Sequence, residues 1–101
     1  MADKYILDEN RSPVPCEDLI EWAKWFETAD RTVSRDKIGD VKISTVFLGI
    51  NHRFGPGSPL LFETMIFGGP HDGHGSRCTF WEDAERQHAE AVALVKSGIN
   101  N

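Results

Sequence analysis

Apolar and polar residues are spaced in different ways along this chain, and each spacing predicts a different element. Residues 4–7 (KYIL) read as a short strand, DENRS as a turn, and PVP as an extended return whose prolines suit a sheet edge. A small hairpin is expected over 4–15. From Cys16 the period lengthens. At about 100° per residue, Leu19, Trp22, Ala23, Phe26 and Ala29 share one side of a helix, with Glu17, Glu21, Lys24 and Thr28 opposite. Trp25 lies on the rim between them. Glu17 and Asp18 fall in the first turn, where the helix dipole favours acids. This helix should fade over 30–32, and residues 31–40 (RTVSRDKIGD) read as a polar connection.

Two strongly apolar strands follow, at 41–50 (VKISTVFLGI) and 60–68 (LLFETMIFG). The loop between them, NHRFGPGSP, has Gly and Pro to fix its turns. A second polar loop, GPHDGHGSRC, leads to a helix over 79–97. Thr79 and Glu82 match a capping box at its start, and Gly98 should end it, leaving 98–101 as a frayed tail. The expectation is one α+β domain, an antiparallel four-stranded sheet with two helices in the order ββαββα.

The central hairpin is the informative pattern. Side chains alternate faces along a strand. In 60–68 one face is Leu60, Phe62, Thr64 and Ile66, and the other is Leu61, Glu63, Met65 and Phe67. In 41–50 one face is Val41, Ile43, Thr45 and Phe47, and the other is Lys42, Ser44, Val46, Leu48 and Ile50. A sheet wetted on one side should alternate more cleanly than this. Either one helix covers each face, or both helices pack on one face and a second chain or a target covers the other. The second arrangement is expected, because large exposed apolar patches mark interaction sites.

Composition narrows the classes. At 101 residues the chain is one domain, large enough for a core without metal or disulfide staples. Its net charge of −5 is not segregated along the sequence: residues 1–50 hold seven Lys/Arg against ten Asp/Glu, and 51–101 hold four against six. With no basic stripe in the sequence, direct nucleic-acid binding is disfavoured. No apolar stretch approaches a membrane span. MADKYILDEN lacks the apolar run of a secretory leader, so a cytoplasmic location with Cys16 and Cys78 reduced is expected, a Cys16–Cys78 disulfide being the alternative.

Candidate chemistry is sparse. A buried Glu63 would need a partner, and His88, on the same helical stripe as Phe80, Ala84, Ala91 and Val95, is the one expected. That pair reads as a core hydrogen bond, as an acid–base dyad, or as an interface ion pair; alternatively, Glu63 faces solvent at a sheet edge. His71, His74 and Cys78, with Asp72 or His52 as a fourth ligand, are weak candidates for zinc, because their spacing matches no strong signature. No metal and no cofactor is therefore expected. GPGSP lacks the strand–loop–helix setting and the Lys of a phosphate cradle. Ser44 and Thr45 lie mid-strand, where β propensity accounts for them. Trp25 on the helix rim, and His52, Arg53 and Phe54 at the hairpin tip, are the expected protein-binding residues.

The stretch STVFLGINHRFGPGSPLLFETMIFGG (44–69), with KYILDEN (4–10) and EDLIEWAKWFETADR (17–31), resembles a group of short uncharacterised proteins encoded in bacteriophage and prophage genomes. The resemblance implies a phage or prophage product in the cytoplasm of a bacterial host. It carries no catalytic residues across. The expected function is a non-enzymatic binding protein acting through a protein–protein interface on a host protein, such as a defence factor it would inhibit, or on a second copy of itself. The alternative is a small metal-assisted or acid–base enzyme using Glu63, His88 and His52.

Overall fold

Gly39 and Asp40 turn the polar stretch before them into a strand. Two residues of this type between extended runs make a tight hairpin, and Gly39 has the positive φ of 58° that such a turn uses. The computed structural model describes residues 3–99. In it Thr32–Ile38 is a strand, β3, paired antiparallel with β4 (Val41–Phe47). β5 (Phe62–Phe67) and β6 (Gly75–Cys78) complete an antiparallel sheet in the order β3-β4-β5-β6. The N-terminal segment forms the expected two-stranded hairpin, β1 (Tyr5–Leu7) and β2 (Pro13–Pro15). The helices are α1 (Leu19–Thr28) and α2 (Trp81–Ile99).

The α+β class and the four-stranded antiparallel sheet agree with expectation. The order does not: it is ββαββββα. The expected ββαββα counted the N-terminal hairpin into the sheet and read 31–40 and the end of GPHDGHGSRC as loop. β3 carries little grease because it is an edge strand, with a register irregularity between Thr32 and Ser34 and with Arg35, Asp36 and Lys37 exposed. β6 escaped because only Cys78 of its four residues is buried.

α2 alone lies across the sheet, contacting all four strands. Its inward stripe is Ala84, His88, Ala91 and Val95, all buried. The small alanines let its backbone approach the strands closely. The helix starts two residues later than expected. Thr79 forms no capping box; its hydroxyl donates to the Pro59 carbonyl at 2.7 Å. Phe80 lies outside the helix and is largely exposed. The helix also runs through Gly98 to Ile99, so that residue does not stop it; Asn100 and Asn101 of the expected tail lie outside the described residues.

α1 does not join α2 on the face. Asp18 caps it, accepting from the backbone N–H groups of Ile20 and Glu21, and the helix docks on β1, with Trp25 reaching the Phe47 ring at the end of β4. Trp22 donates its indole N–H to the carbonyls of Tyr5 and Gly49 and stacks on Phe26 at 4.7 Å. Gly49 permits this approach: its φ is 77°, and a Cβ there would fall 2.9 Å from Phe26. Arg31 lies 3.8 Å over the Phe26 ring and donates to the Phe47 carbonyl.

The core has two apolar clusters. Ile43, Ile66, Ala91 and Val95 form one. Phe47, Leu61, Phe62, Cys78 and Ala84 form the other, joined by Tyr5, Leu7, Trp25, Val33 and Trp81. The second is where both hairpin faces looked greasy in sequence. There the N-terminal hairpin and α1 close over the end of the sheet, so this chain shelters that grease itself.

Candidate functional site

Between the two clusters runs a polar line. Thr64 and Thr45, paired across β5 and β4, have hydroxyls 2.7 Å apart. Thr45 Oγ1 is 2.7 Å from His88 Nδ1, and His88 Nε2 is 2.7 Å from Asp36 Oδ2. A carboxylate only accepts, so Nε2 carries a proton and donates to Asp36. In the neutral ring Nδ1 then accepts from Thr45, which leaves the Thr45 oxygen to accept from Thr64. Every group in the line is satisfied. The connectivity is that of a nucleophile, base and orienting carboxylate. But Thr45 is 0% exposed, Thr64 2% and His88 4%, so no substrate reaches the hydroxyl. This is a structural network.

The expected Glu63–His88 pair is therefore corrected. His88 is buried as expected, but α2 lies on the Thr64 side of β5, and Glu63, one residue away, faces the other side. There it meets its cross-strand neighbour Arg77, Oε2 to Nε at 2.8 Å. His52, on the loop after β4, is exposed with Nδ1 bonded to the Ile50 carbonyl at 2.8 Å. Glu63, His88 and His52 are thus not brought together, and the enzyme reading loses its site.

The zinc candidates also stay apart. Among the described residues no three His, Cys, Asp or Glu side chains converge as a metal set. Cys78 is buried at the end of β6, and burial, with the nearby Asp83 charge second, pushes its thiol up to about 11. Cys16 is also a free, buried thiol, raised first by burial and then by Glu21. Neither has the electropositive, accessible setting of a reactive cysteine.

Of the expected binding residues, Trp25 is half-buried and sits edge-on to Phe47, rings 5.7 Å apart at 88°. It is part of the core. The 52–54 tip is built differently. Asn51 Oδ1 accepts from the backbone of Arg53 and of Leu60, closing the loop. Arg53 turns back onto the Ser58 carbonyl. Phe54 is left fully exposed.

The face of the sheet opposite α2 is a surface that sequence reading described only in part. The pairing puts three cross-strand rows on it. Lys37, Lys42 and Phe67 form one; Arg35, Ser44, Met65 and Gly75 the next; Val46, Glu63 and Arg77 the third. Met65 lies across Gly75, where a Cβ would fall 2.5 Å from its sulfur. Phe67 is 49% exposed. Arg35, Asp36, Lys37, Lys42, Ile43, Ser44 and Phe67 line a shallow concavity of about 480 Å³. Among the described residues Glu63 is the only carboxylate placed on these rows, and Asp36, which also lines the concavity, is bonded to His88. The cations escape sequence reading because two of the four belong to β3, whose residues read as a polar connection. No helix among the described residues is long and apolar enough to cross a membrane. Comparison of the chain with protein-family models, with curated proteins and with solved structures finds no match in any of the three.

Proposed function

We propose that this chain is a non-enzymatic binding protein that docks a protein partner on the uncovered face of its sheet. One observation carries this reading: α2 covers one side of the four strands, while Val46, Met65 and Phe67 lie on the other, with Arg35, Lys37 and Lys42 gathered at the Phe67 end. A mixed apolar and cationic surface without a covering element suits an interface better than water. Phe54, at the opposite end of β4 and β5, offers a second contact. The resemblance to short phage-encoded proteins supplies a context in which the partner is a host protein of a bacterial cytoplasm and the effect is inhibition. A second copy is the less favoured partner, because a two-fold contact through this face would set its lysines and arginines against the same face of the other chain.

The test is capture from bacterial lysate with immobilised wild type and a Phe67→Asp variant, followed by titration of each partner identified by mass spectrometry. Phe67 is exposed enough for the change to leave the fold intact. Wild type should retain a partner that the variant releases. Equal recovery by both would show that this face is not the docking surface.

A further inference from the structure

The chemistry of the open face narrows what can sit on it. Lys37 stands directly opposite Lys42 in the β3–β4 register. Like charges so placed repel one another, and Arg35 lies two residues along the same edge. Among the described residues no carboxylate forms an ion pair with any of the three. The fourth cation, Arg77, is held by Glu63. In a chain of net charge −5, three uncompensated cations gathered at one end of a face, around a half-exposed phenyl ring, call for negative charge from outside.

We propose that the occupant is an acidic segment of a protein partner, with carboxylates on Arg35, Lys37 and Lys42 and an apolar side chain between them against Phe67 and Met65. This rests on the docking reading above and names the partner's chemistry. The face has room for a segment: four strands about 4.8 Å apart make a platform roughly 15–20 Å wide, enough to seat one helix about 10 Å across or an extended stretch. Charge favours a protein segment over single-stranded nucleic acid. A segment with a few carboxylates feels mainly the cations within a screening length of about 8 Å. A polyanion tracking past the face would meet Glu63 and the acidic remainder of the molecule. It would also find one aromatic ring, Phe67, where single-strand binders stack successive bases on several.

The test is NMR titration of the full ¹⁵N-labelled chain with three probes: the capped peptide Glu-Glu-Phe-Glu-Glu-Leu, its Gln-for-Glu counterpart, and a short oligothymidylate. The Glu peptide should shift the amides of Arg35, Lys37, Lys42, Ser44 and Phe67. It should bind about tenfold more weakly to a Lys37→Glu/Lys42→Glu variant, a change of about 1.4 kcal/mol, and more weakly still in high salt. Lys42→Gln, which removes charge without reversing it, should give a smaller loss, and thermal melts of both variants check the fold. If the Gln peptide binds as well as the Glu peptide, or if the Glu peptide shifts residues off this face, the acidic-segment proposal is overturned. If oligothymidylate moves the same amides at lower concentration, the occupant is nucleic acid instead. The docking reading is judged separately: a partner lost by Phe67→Asp but kept by Lys37→Glu/Lys42→Glu would retain the face and remove the charge requirement.

Discussion

His88 on α2 and Asp36 on β3, 52 residues apart in sequence, are joined by a 2.7 Å hydrogen bond at the end of a line that begins at Thr64. The line crosses β5, β4, α2 and β3, and so ties the helix to three strands at one level. A shift of α2 along the sheet would strand several buried polar groups at once, each costing about 1–3 kcal/mol. The network thus fixes the seat of the helix, where the alanine stripe alone would tolerate sliding. Thr45→Val keeps the shape and removes the hydroxyl that serves His88. Urea unfolding should show a loss of about 1–3 kcal/mol. Asp36→Asn keeps an acceptor for Nε2 and should lose less.

The Glu63–Arg77 pair is partly exposed on both sides, with side-chain accessibilities of 25% and 43%. Ion pairs of that kind contribute about 0–1 kcal/mol. Glu63→Gln should therefore fold normally, with a denaturation midpoint close to wild type. A collapse of stability would mean the carboxylate is held in a buried site after all.

Lys37→Glu should stabilise the free protein while weakening its interface. The change replaces a repulsive cross-strand pair by an attractive one, a gain of about 0.2–1 kcal/mol. The expected result is a raised melting temperature together with reduced binding of the Glu peptide. Opposite movement of stability and binding is the signature of a residue kept for contact with something else.

Trp25 and Phe54 should separate cleanly. Trp25→Ala removes an edge-on contact with Phe47, the floor of the larger cluster, and should cost about 2 kcal/mol or more. Phe54 touches solvent on all sides, so Phe54→Ala should stay within about 0.5 kcal/mol of wild type. Parallel thermal melts decide this. Only Phe54 is then a clean probe of binding.

Cys78 gives a pH signature. Its thiol ionises at about 11 in the fold against an ordinary 9.0. Below 9.0 both folded and unfolded thiols keep their proton, and the contribution to stability is whole. Above it the unfolded chain ionises first, so stability falls as pH rises toward 11. Wild type should lose more stability over that window than Cys78→Ala, by urea midpoints at each pH. At pH 8 a thiol reagent should label the native chain far more slowly than the unfolded one.

The legible parts of the fold were those where burial repeats with a period. The apolar strands 41–50 and 60–68 and the stripe Ala84, His88, Ala91, Val95 were found because each buries one side against the core. β3 was missed because its outward residues, Arg35 and Lys37, meet water and its inward Asp36 serves a histidine, so no apolar alternation survives. The Gly39-Asp40 turn was the signal that could have revealed it. His88 was correctly placed on the buried stripe, yet its partners could not be inferred. One came from the unseen strand, and the other, Thr45, looks like any β-branched strand residue. The cationic end of the open face was hidden for the same reason: Lys37 and Lys42 become neighbours only once β3 is paired.

β3 leaves one rim of the sheet without a neighbouring strand, and such rims commonly template unwanted growth into fibres. Here the irregularity at Thr32–Ser34 disturbs the ladder, and three consecutive charged side chains at Arg35, Asp36 and Lys37 keep the rim hydrated. Side-to-side stacking of copies is therefore discouraged. Along this rim, the open face of the sheet is kept from extending strand on strand into a neighbouring copy.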